Sequence, residues 1–315
     1  MELKIFLRRL TIYACLFIGF FVLVFLLEKN LGYWDIGSDK RILVVGHSHP
    51  ETAINDSLID GLVNLASSGE AYNYNFYKMR YVLENNPQIE IVLVEFTNNN
   101  IEPGQDLWIT GDEKMGYYLP QRIQFMSFKE VSFLYNENRE TFKNSLLPII
   151  RKRLTYLTRG FSYNGELGGY RHLNAKFPDS LLRQQRVRSS STKVAELNIS
   201  FLKSLIDFCE KRNIEVLLIR SPLHSSYSRN NEEILREILS SNFSNIEFLD
   251  FSNFPLKNEH FADMEHLNSG GANIFSNWLN DQIKSGLLES PQKEMYINQA
   301  IKSRSVGMQK NEDDI

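Results

Sequence analysis

Cysteine is nearly absent from this chain: Cys15 and Cys209 are the only two in 315 residues. Two cysteines can build neither a disulfide framework nor a Cys-rich metal site, so the fold must be held by its apolar core. Cys209 falls in the helical pattern "LIDFCEKR" and reads as a small packed core residue. A basic excess is missing as well. The formal net charge is −3, and because Lys4, Arg8 and Arg9 against Glu2 give residues 1–27 a charge of +2, residues 28–315 carry −5. A polyanion needs a basic face, which excludes nucleic acid as the main partner. Internal repeats are absent too, and a composition of 43% hydrophobic and 23% charged residues is that of a globular protein.

Charge is wholly missing between Leu10 and Leu27, "LTIYACLFIGFFVLVFLL". At about 1.5 Å per helical residue this run comes close to the roughly 30 Å of a bilayer's hydrocarbon core. A cleaved signal peptide is the competing reading, but its apolar region is usually only about 7 to 15 residues long and ends at a small-x-small site. No such site follows in "EKNLGYWDIG". "IYAC" resembles a lipoprotein cleavage site, yet most of the apolar run lies after Cys15, the wrong way round for lipidation. Lys4, Arg8 and Arg9 assign residues 1–9 to the cytoplasm, residues 10–27 to a membrane anchor, and everything beyond to the outside.

Beyond a polar linker, residues 28–40, strands and helices alternate. "RILVVG" is an apolar run bounded by Gly46, the mark of a strand buried on both faces. "DSLIDGLVNLAS" has helical spacing with Asp56 as N-cap, "NFYKMRYVLENNP" reads as a helix stopped by Pro87, and "IEIVLVEF" as a second buried strand. A long amphipathic helix, "TKVAELNISFLKSLIDFCEKRN", precedes the strand "IEVLLIRSP"; the helix "NEEILREILSSN", the strand "NIEFLDFS" and the helix "NSGGANIFSNWLNDQIKSG" follow. Strands separated by helices need crossover connections, so residues 41–288 should form a parallel sheet with helices on both faces. Two regions break this rhythm. Residues 104–191 are aromatic-rich, mostly helical and too long for a simple connection, and read as an inserted cap. Its basic run "RKRLTYLTR" reads as a solvated helix face rather than a contact for anionic lipid or glycan. Residues 289–315 lack a sustained apolar pattern and read as a disordered tail.

In an open parallel sheet, ligands bind beyond the carboxyl ends of the strands. After the first strand comes "GHSHP", with Ser48 at the start of a helix. A serine hydroxyl is a poor nucleophile until a base takes its proton. Of the six histidines, His266 lies after the last strand and before the last helix, on the edge that carries Ser48, and Asp263 stands three residues upstream. An acid there fixes the imidazole tautomer and stabilises the imidazolium formed when His266 takes the Ser48 proton. His47 and His49 read as structural or pocket-lining residues and candidate substrate contacts rather than as metal ligands, since no carboxylate cluster accompanies them. No metal and no organic cofactor is expected. His224, after the third expected strand, reads as a candidate substrate contact, and His260 and His172 as surface residues.

These blocks resemble the SGNH family, also called GDSL hydrolases. "GHS" at Gly46 to Ser48 matches the family's Gly-Asp-Ser except for His47, and Asp263-Met264-Glu265-His266 matches its Asp-x-x-His block. "NLASSGEAYN" offers Gly69 as the oxyanion glycine, and "VEFTNNN" offers Asn99, with Asn98 as second choice, where Thr97 replaces the family's glycine. The resemblance covers residues 41–104 and 192–285. It implies a flavodoxin-like three-layer αβα sandwich and acyl transfer at a serine, with the N–H groups of Ser48 and Gly69 and the Asn99 amide holding the oxyanion. With an outward-facing domain on a membrane anchor, it implies an esterase or O-acyltransferase whose partner is an acylated carbohydrate or other small ester, such as O-acetyl groups on envelope or exported polysaccharide. The changed third block leaves open a catalytically inactive binding or scaffold protein of the cell envelope.

Overall fold

The computed structural model describes residues 2–31, 36–159, 166–178, 180, 193–229 and 231–313. Parts of the expected linker (32–35) and insertion (160–165, 179 and 181–191) lie outside the described residues. The first helix, α1 (Glu2–Leu31), contains a stretch long and apolar enough to cross a membrane by length and composition.

Among the described residues, five parallel strands form one sheet: β1 (Ile42–Val45), β2 (Leu62–Asn64), β3 (Ile91–Glu95), β4 (Glu215–Arg220) and β5 (Phe248–Asp250). Their order is β2-β1-β3-β4-β5, the flavodoxin-like order. Successive residues of a strand point to opposite faces, so β1 divides its side chains between two cores. Leu43 and Val45 join Val92, Val94 and Leu218 under α3 (Tyr72–Asn85), α8 (Glu196–Glu210) and α9 (Glu232–Asn242). Ile42 and Val44 join Leu93, Leu217 and Ile219 under α10 (Ser269–Lys284) and α11 (Lys293–Asp313). The result is the three-layer αβα sandwich expected from the alternation, and Cys209 is buried in its first core.

The insertion is helical as expected, comprising α4 (Asp106–Thr110), α5 (Asp112–Arg122), α6 (Phe128–Glu137) and α7 (Arg139–Arg159). Met115, Tyr118 and Leu119 of α5 and Tyr156 of α7 are part of the first core, so the insertion is bonded to the sheet layer by apolar packing.

Two expectations fail. The stretch "DSLIDGLVNLAS" is not a helix: Asn55, not Asp56, caps a short 3-10 turn at Asp56–Leu58, and Gly61 at φ 69° turns the chain into β2. Pairing of Leu62 to Asn64 with Ile42 to Val44 satisfies the backbone along the sheet edge and overrides the local helical spacing. Residues 289–315 are not a disordered tail over their described part. They carry α11, whose Ile297 and Ile301 are buried in the second core, while Lys293 pairs with Glu215 at 2.8 Å. Tyr296 and Ala300 pack beside the two isoleucines, an apolar patch too short to register as an amphipathic helix.

Candidate active site

All the candidate residues leave the sheet at its carboxyl edge: Ser48 after β1, Gly69 after β2, Asn99 after β3, His224 after β4, and Asp263 and His266 after β5. Ser48 is the first residue of α2 (Ser48–Ala53) and is partly exposed. Gly46 makes this turn by allowing close approach. A Cβ there would lie 2.5 Å from Glu95 Cβ and 2.8 Å from Pro50 Cγ, so any side chain would push Glu95 out of the site.

The structure brings together Ser48, His266 and Asp263 across 218 residues of sequence. His266 Nε2 lies 2.8 Å from Ser48 Oγ, and His266 Nδ1 lies 2.9 Å from both Asp263 oxygens. A carboxylate only accepts hydrogen bonds, so Nδ1 carries the ring proton and Nε2 presents its lone pair to the serine hydroxyl. Burial alone would raise the Asp263 carboxyl, but the His266 imidazole outweighs it and holds Asp263 below the usual carboxylate range. Asp263 Oδ1 also accepts from the backbone N–H groups of Glu265 (2.7 Å) and His266 (2.9 Å), which fold the loop so that acid and imidazole face each other.

His224 does not reach the cleft. It is buried, stacked 4.4 Å from Phe177, and its backbone N–H donates to Met264 O at 3.1 Å. It therefore braces the Asp263–His266 loop, with its ring nitrogens 3.0 Å from Asn258 Oδ1 and 3.1 Å from the Ser226 N–H.

The oxyanion candidates divide. The Gly69 N–H donates to no acceptor among the described residues, and Gly69 adopts φ 74°, a left-handed conformation that favours glycine. Its loop is pinned on both sides: Ser68 donates from its N–H (3.2 Å) and its hydroxyl to Glu51, and Glu70 accepts from buried Lys78 and from Arg122 Nε at 2.6 Å. Asn98 faces away, with Oδ1 accepting from Arg220 at 3.0 Å and Nδ2 donating to Asn231 (2.9 Å) and Glu232 (3.1 Å). Asn99 faces the triad loop. Its Nδ2 donates to Glu265 Oε2 at 3.0 Å, and Tyr227 Oη donates to its Oδ1 at 2.9 Å. The Ser48 N–H is already engaged by His47 Nδ1 at 2.9 Å.

Comparison with known proteins adds little to this geometry. A protein-family model matches residues 178–288, less than half of the chain. No curated protein matches it. Among solved structures, a proposed acylhydrolase from Bacteroides fragilis is 11% identical with a TM-score of 0.37, over 82% of this chain and 92% of that one. A GDSL-like lipase from Bacteroides thetaiotaomicron is 10% identical with a TM-score of 0.37, over 82% of this chain and 95% of that one. Likenesses this distant carry no argument, and the site stands on its own distances.

His47 and His49, the residues on either side of Ser48, are each 1% exposed. A carboxylate does accompany them, contrary to the sequence reading: Glu95, the last residue of β3. Glu95 Oε2 accepts from the His47 backbone N–H at 2.6 Å, while Oε1 lies 3.4 Å from His47 Nε2 and 3.1 Å from His49 Nδ1. Burial would raise the Glu95 carboxyl, but the two imidazoles and the backbone donor hold it down. The signal for Glu95 was present in "IVLVEF", where one charged residue closes an apolar strand that is buried on both faces. Glu51, Glu265 and Tyr227 had no such signal, because only tertiary contacts bring them to the site. The insertion also reaches it. Trp108 lies 5.8 Å from His47, and Lys114 sits over Trp108 at 5.4 Å, against Gly69.

Proposed function

We propose that this protein is a serine esterase or O-acyltransferase that works through Ser48, His266 and Asp263. The carrying observation is the 2.8 Å contact between Ser48 Oγ and the Nε2 of an imidazole whose other nitrogen is held by a carboxylate. His47 Nδ1 is a poorer base, 3.4 Å from the same hydroxyl and already accepting from the Ser48 N–H. Ser48 Oγ bonds to the acyl carbon as its proton passes to His266 Nε2. The ester C–O bond then breaks, and the leaving alcohol takes that proton. Water or a second hydroxyl attacks the acyl-enzyme, giving its proton to His266, and Ser48 regains a proton as it departs. Gly69 N–H and the Asn99 amide are the oxyanion donors, each worth about 10² to 10³ in rate.

The substrate class follows from location and from the residues beside Gly69. With α1 as a membrane anchor and the basic residues before it on the cytoplasmic side, the domain faces outward, toward acylated carbohydrate of the envelope or exported polysaccharide. Lys114 and Trp108 at the Gly69 side suit a polar acyl carrier, with a small acyl group such as acetyl.

The test is labelling of the full-length protein with a fluorophosphonate, and release of p-nitrophenol from p-nitrophenyl acetate. Labelling at Ser48 and loss of both signals in Ser48→Ala support the reading. Hydrolysis that survives in Ser48→Ala overturns Ser48 as the nucleophile, whereas a wild type that is neither labelled nor hydrolytic would instead mean an inactive domain serving as a binding part of an envelope assembly. Susceptibility of the domain to protease added outside intact cells tests its orientation.

A further inference from the structure

Behind Ser48 and His266, four buried polar atoms make no hydrogen bond among the described residues and lie 3.1 to 3.5 Å from one another or from Glu265: His47 Nε2, both His49 ring nitrogens and Glu95 Oε1. His47, His49 and Glu95 place their ligand atoms within 4.8 Å of one another, a spacing that a metal ion could occupy. The hydrogen bonding argues against that. The Ser48 N–H donates to His47 Nδ1, so the ring proton of neutral His47 sits on Nε2 and leaves no lone pair there for a metal. His47 Nε2 instead lies 3.4 Å from Glu95 Oε1.

His49 is placed differently. Its Nδ1 faces Glu95 Oε1 at 3.1 Å and its Nε2 faces Glu265 Oε2 at 3.5 Å. A ring with an acceptor-only carboxylate at each nitrogen satisfies both only when it carries two protons. The same Glu265 Oε2 accepts from Asn99 Nδ2 at 3.0 Å, and the His49 ring packs edge-on against His266 at 5.3 Å. Glu265 is the residue immediately before His266. The loop that supplies the base thus also supplies the carboxylate that holds the asparagine amide, and His49 joins that carboxylate to the sheet.

We propose that His49 is a positioning residue: held as an imidazolium between Glu95 and Glu265, it fixes the carboxylate that aims the Asn99 amide at the oxyanion. This rests on the acyl-transfer reading of the site. The charge balance supports it. Without a cation at His49, two carboxylates would face each other behind a centre that itself gains negative charge in the transition state, and removing one partner of a buried pair leaves the other uncompensated. The groups around the ring are His47, His266, Glu95 and Glu265. Burial would lower the His49 pKa, but the two carboxylates outweigh it and raise it to about 9, whereas burial takes His47 down to about 4 despite Glu95.

Two measurements on full-length protein in detergent micelles test this. In the first, histidine ring nitrogens are labelled with ¹⁵N, and the spectrum should show both His49 nitrogens protonated at pH 7, unchanged by added Zn²⁺ or EDTA. A neutral His49 ring, or one shifted by Zn²⁺, overturns the inference. In the second, His49→Asn and Asn99→Ala are combined in a double-mutant cycle on p-nitrophenyl acetate. Each single variant should lower kcat at least tenfold with KM within twofold, and the double variant should be no slower than Asn99→Ala alone. Multiplicative losses, or a His49→Asn variant at the wild-type rate, overturn it. If His49→Asn does not fold, Glu265→Gln, on the more exposed side of the pair, enters the same cycle with the same expectation. If the wild type itself is inactive, the acyl-transfer reading falls, and the side-chain amide resonances of Asn99 decide the rest: they should shift in Glu265→Gln and in His49→Asn, and unmoved resonances overturn the positioning role.

Discussion

Replacing each of two adjacent asparagines separates catalysis from stability. Asn98 is 2% exposed and accepts from the Arg220 guanidinium at 3.0 Å, inside a network that also ties Arg220 to Glu232 and Asp250. A hydrogen bond to a charged group contributes about 1.5 to 3 kcal/mol, so Asn98→Ala should cost about 2 kcal/mol. For a domain of this size that corresponds to a Tm lower by roughly 4 to 8 °C. Arg220 keeps two carboxylate partners, so the fold survives. Asn99 is partly exposed, and its amide meets Glu265 beside His266. Loss of one oxyanion donor costs about 10² to 10³ in kcat. Asn99→Ala should therefore show that loss on p-nitrophenyl acetate with a smaller fall in Tm than Asn98→Ala, since Asn99 is partly exposed and water can replace its bonds to Glu265 and Tyr227. The assays are initial rates and a thermal melt on the same preparations. The reasoning is refuted if the pattern inverts, with Asn98→Ala losing the rate at full stability and Asn99→Ala retaining it.

Three further outcomes are expected. Ile297 is fully buried beneath β5, so Ile297→Ala should destabilise by about 2 to 4 kcal/mol in a denaturant titration, whereas no change would mean that residues 293–313 do not dock. Gly46→Ala forces a Cβ to 2.5 Å from Glu95 Cβ; it should cost about 1 to 3 kcal/mol and slow fluorophosphonate labelling of Ser48, and wild-type labelling would show that the turn tolerates a side chain. Burial would raise the Asp250 carboxyl, but Arg220 outweighs it and pulls it down to about 2. An unfolded aspartate titrates near about 4, so the unfolded chain takes up this proton first as pH falls. The resulting stabilisation, about 2 kcal/mol, is whole above pH of about 4 and lost toward about 2. Asp250→Asn should be less stable at neutral pH and should lose less on acidification. An acid limb identical to wild type would contradict the assignment.

The sequence by itself determined the architecture and pointed to Ser48 and to the Asp263–His266 pair that the fold brings together. Unbroken apolar runs such as "RILVVG" and "IVLVEF" mark strands buried on both faces, and amphipathic spacing between them requires crossover helices; neither inference needs a neighbour in space. Ser48 and the Asp263–His266 pair were legible because the carboxyl edge of a parallel sheet gathers the residues that follow its strands. Tertiary structure decided what depends on partners far along the chain. Strand pairing made β2 from a helical-looking segment, and burial of Ile297 and Ile301 made α11 from an apparent tail. Spatial proximity gave Asn99 rather than Asn98 to the site, because Arg220 recruits Asn98 across 122 residues. It also turned the two histidines of "GHSH" away from solvent and onto Glu95, since a charged residue at the end of a doubly buried strand must find its counter-charge among whatever the fold places beside it.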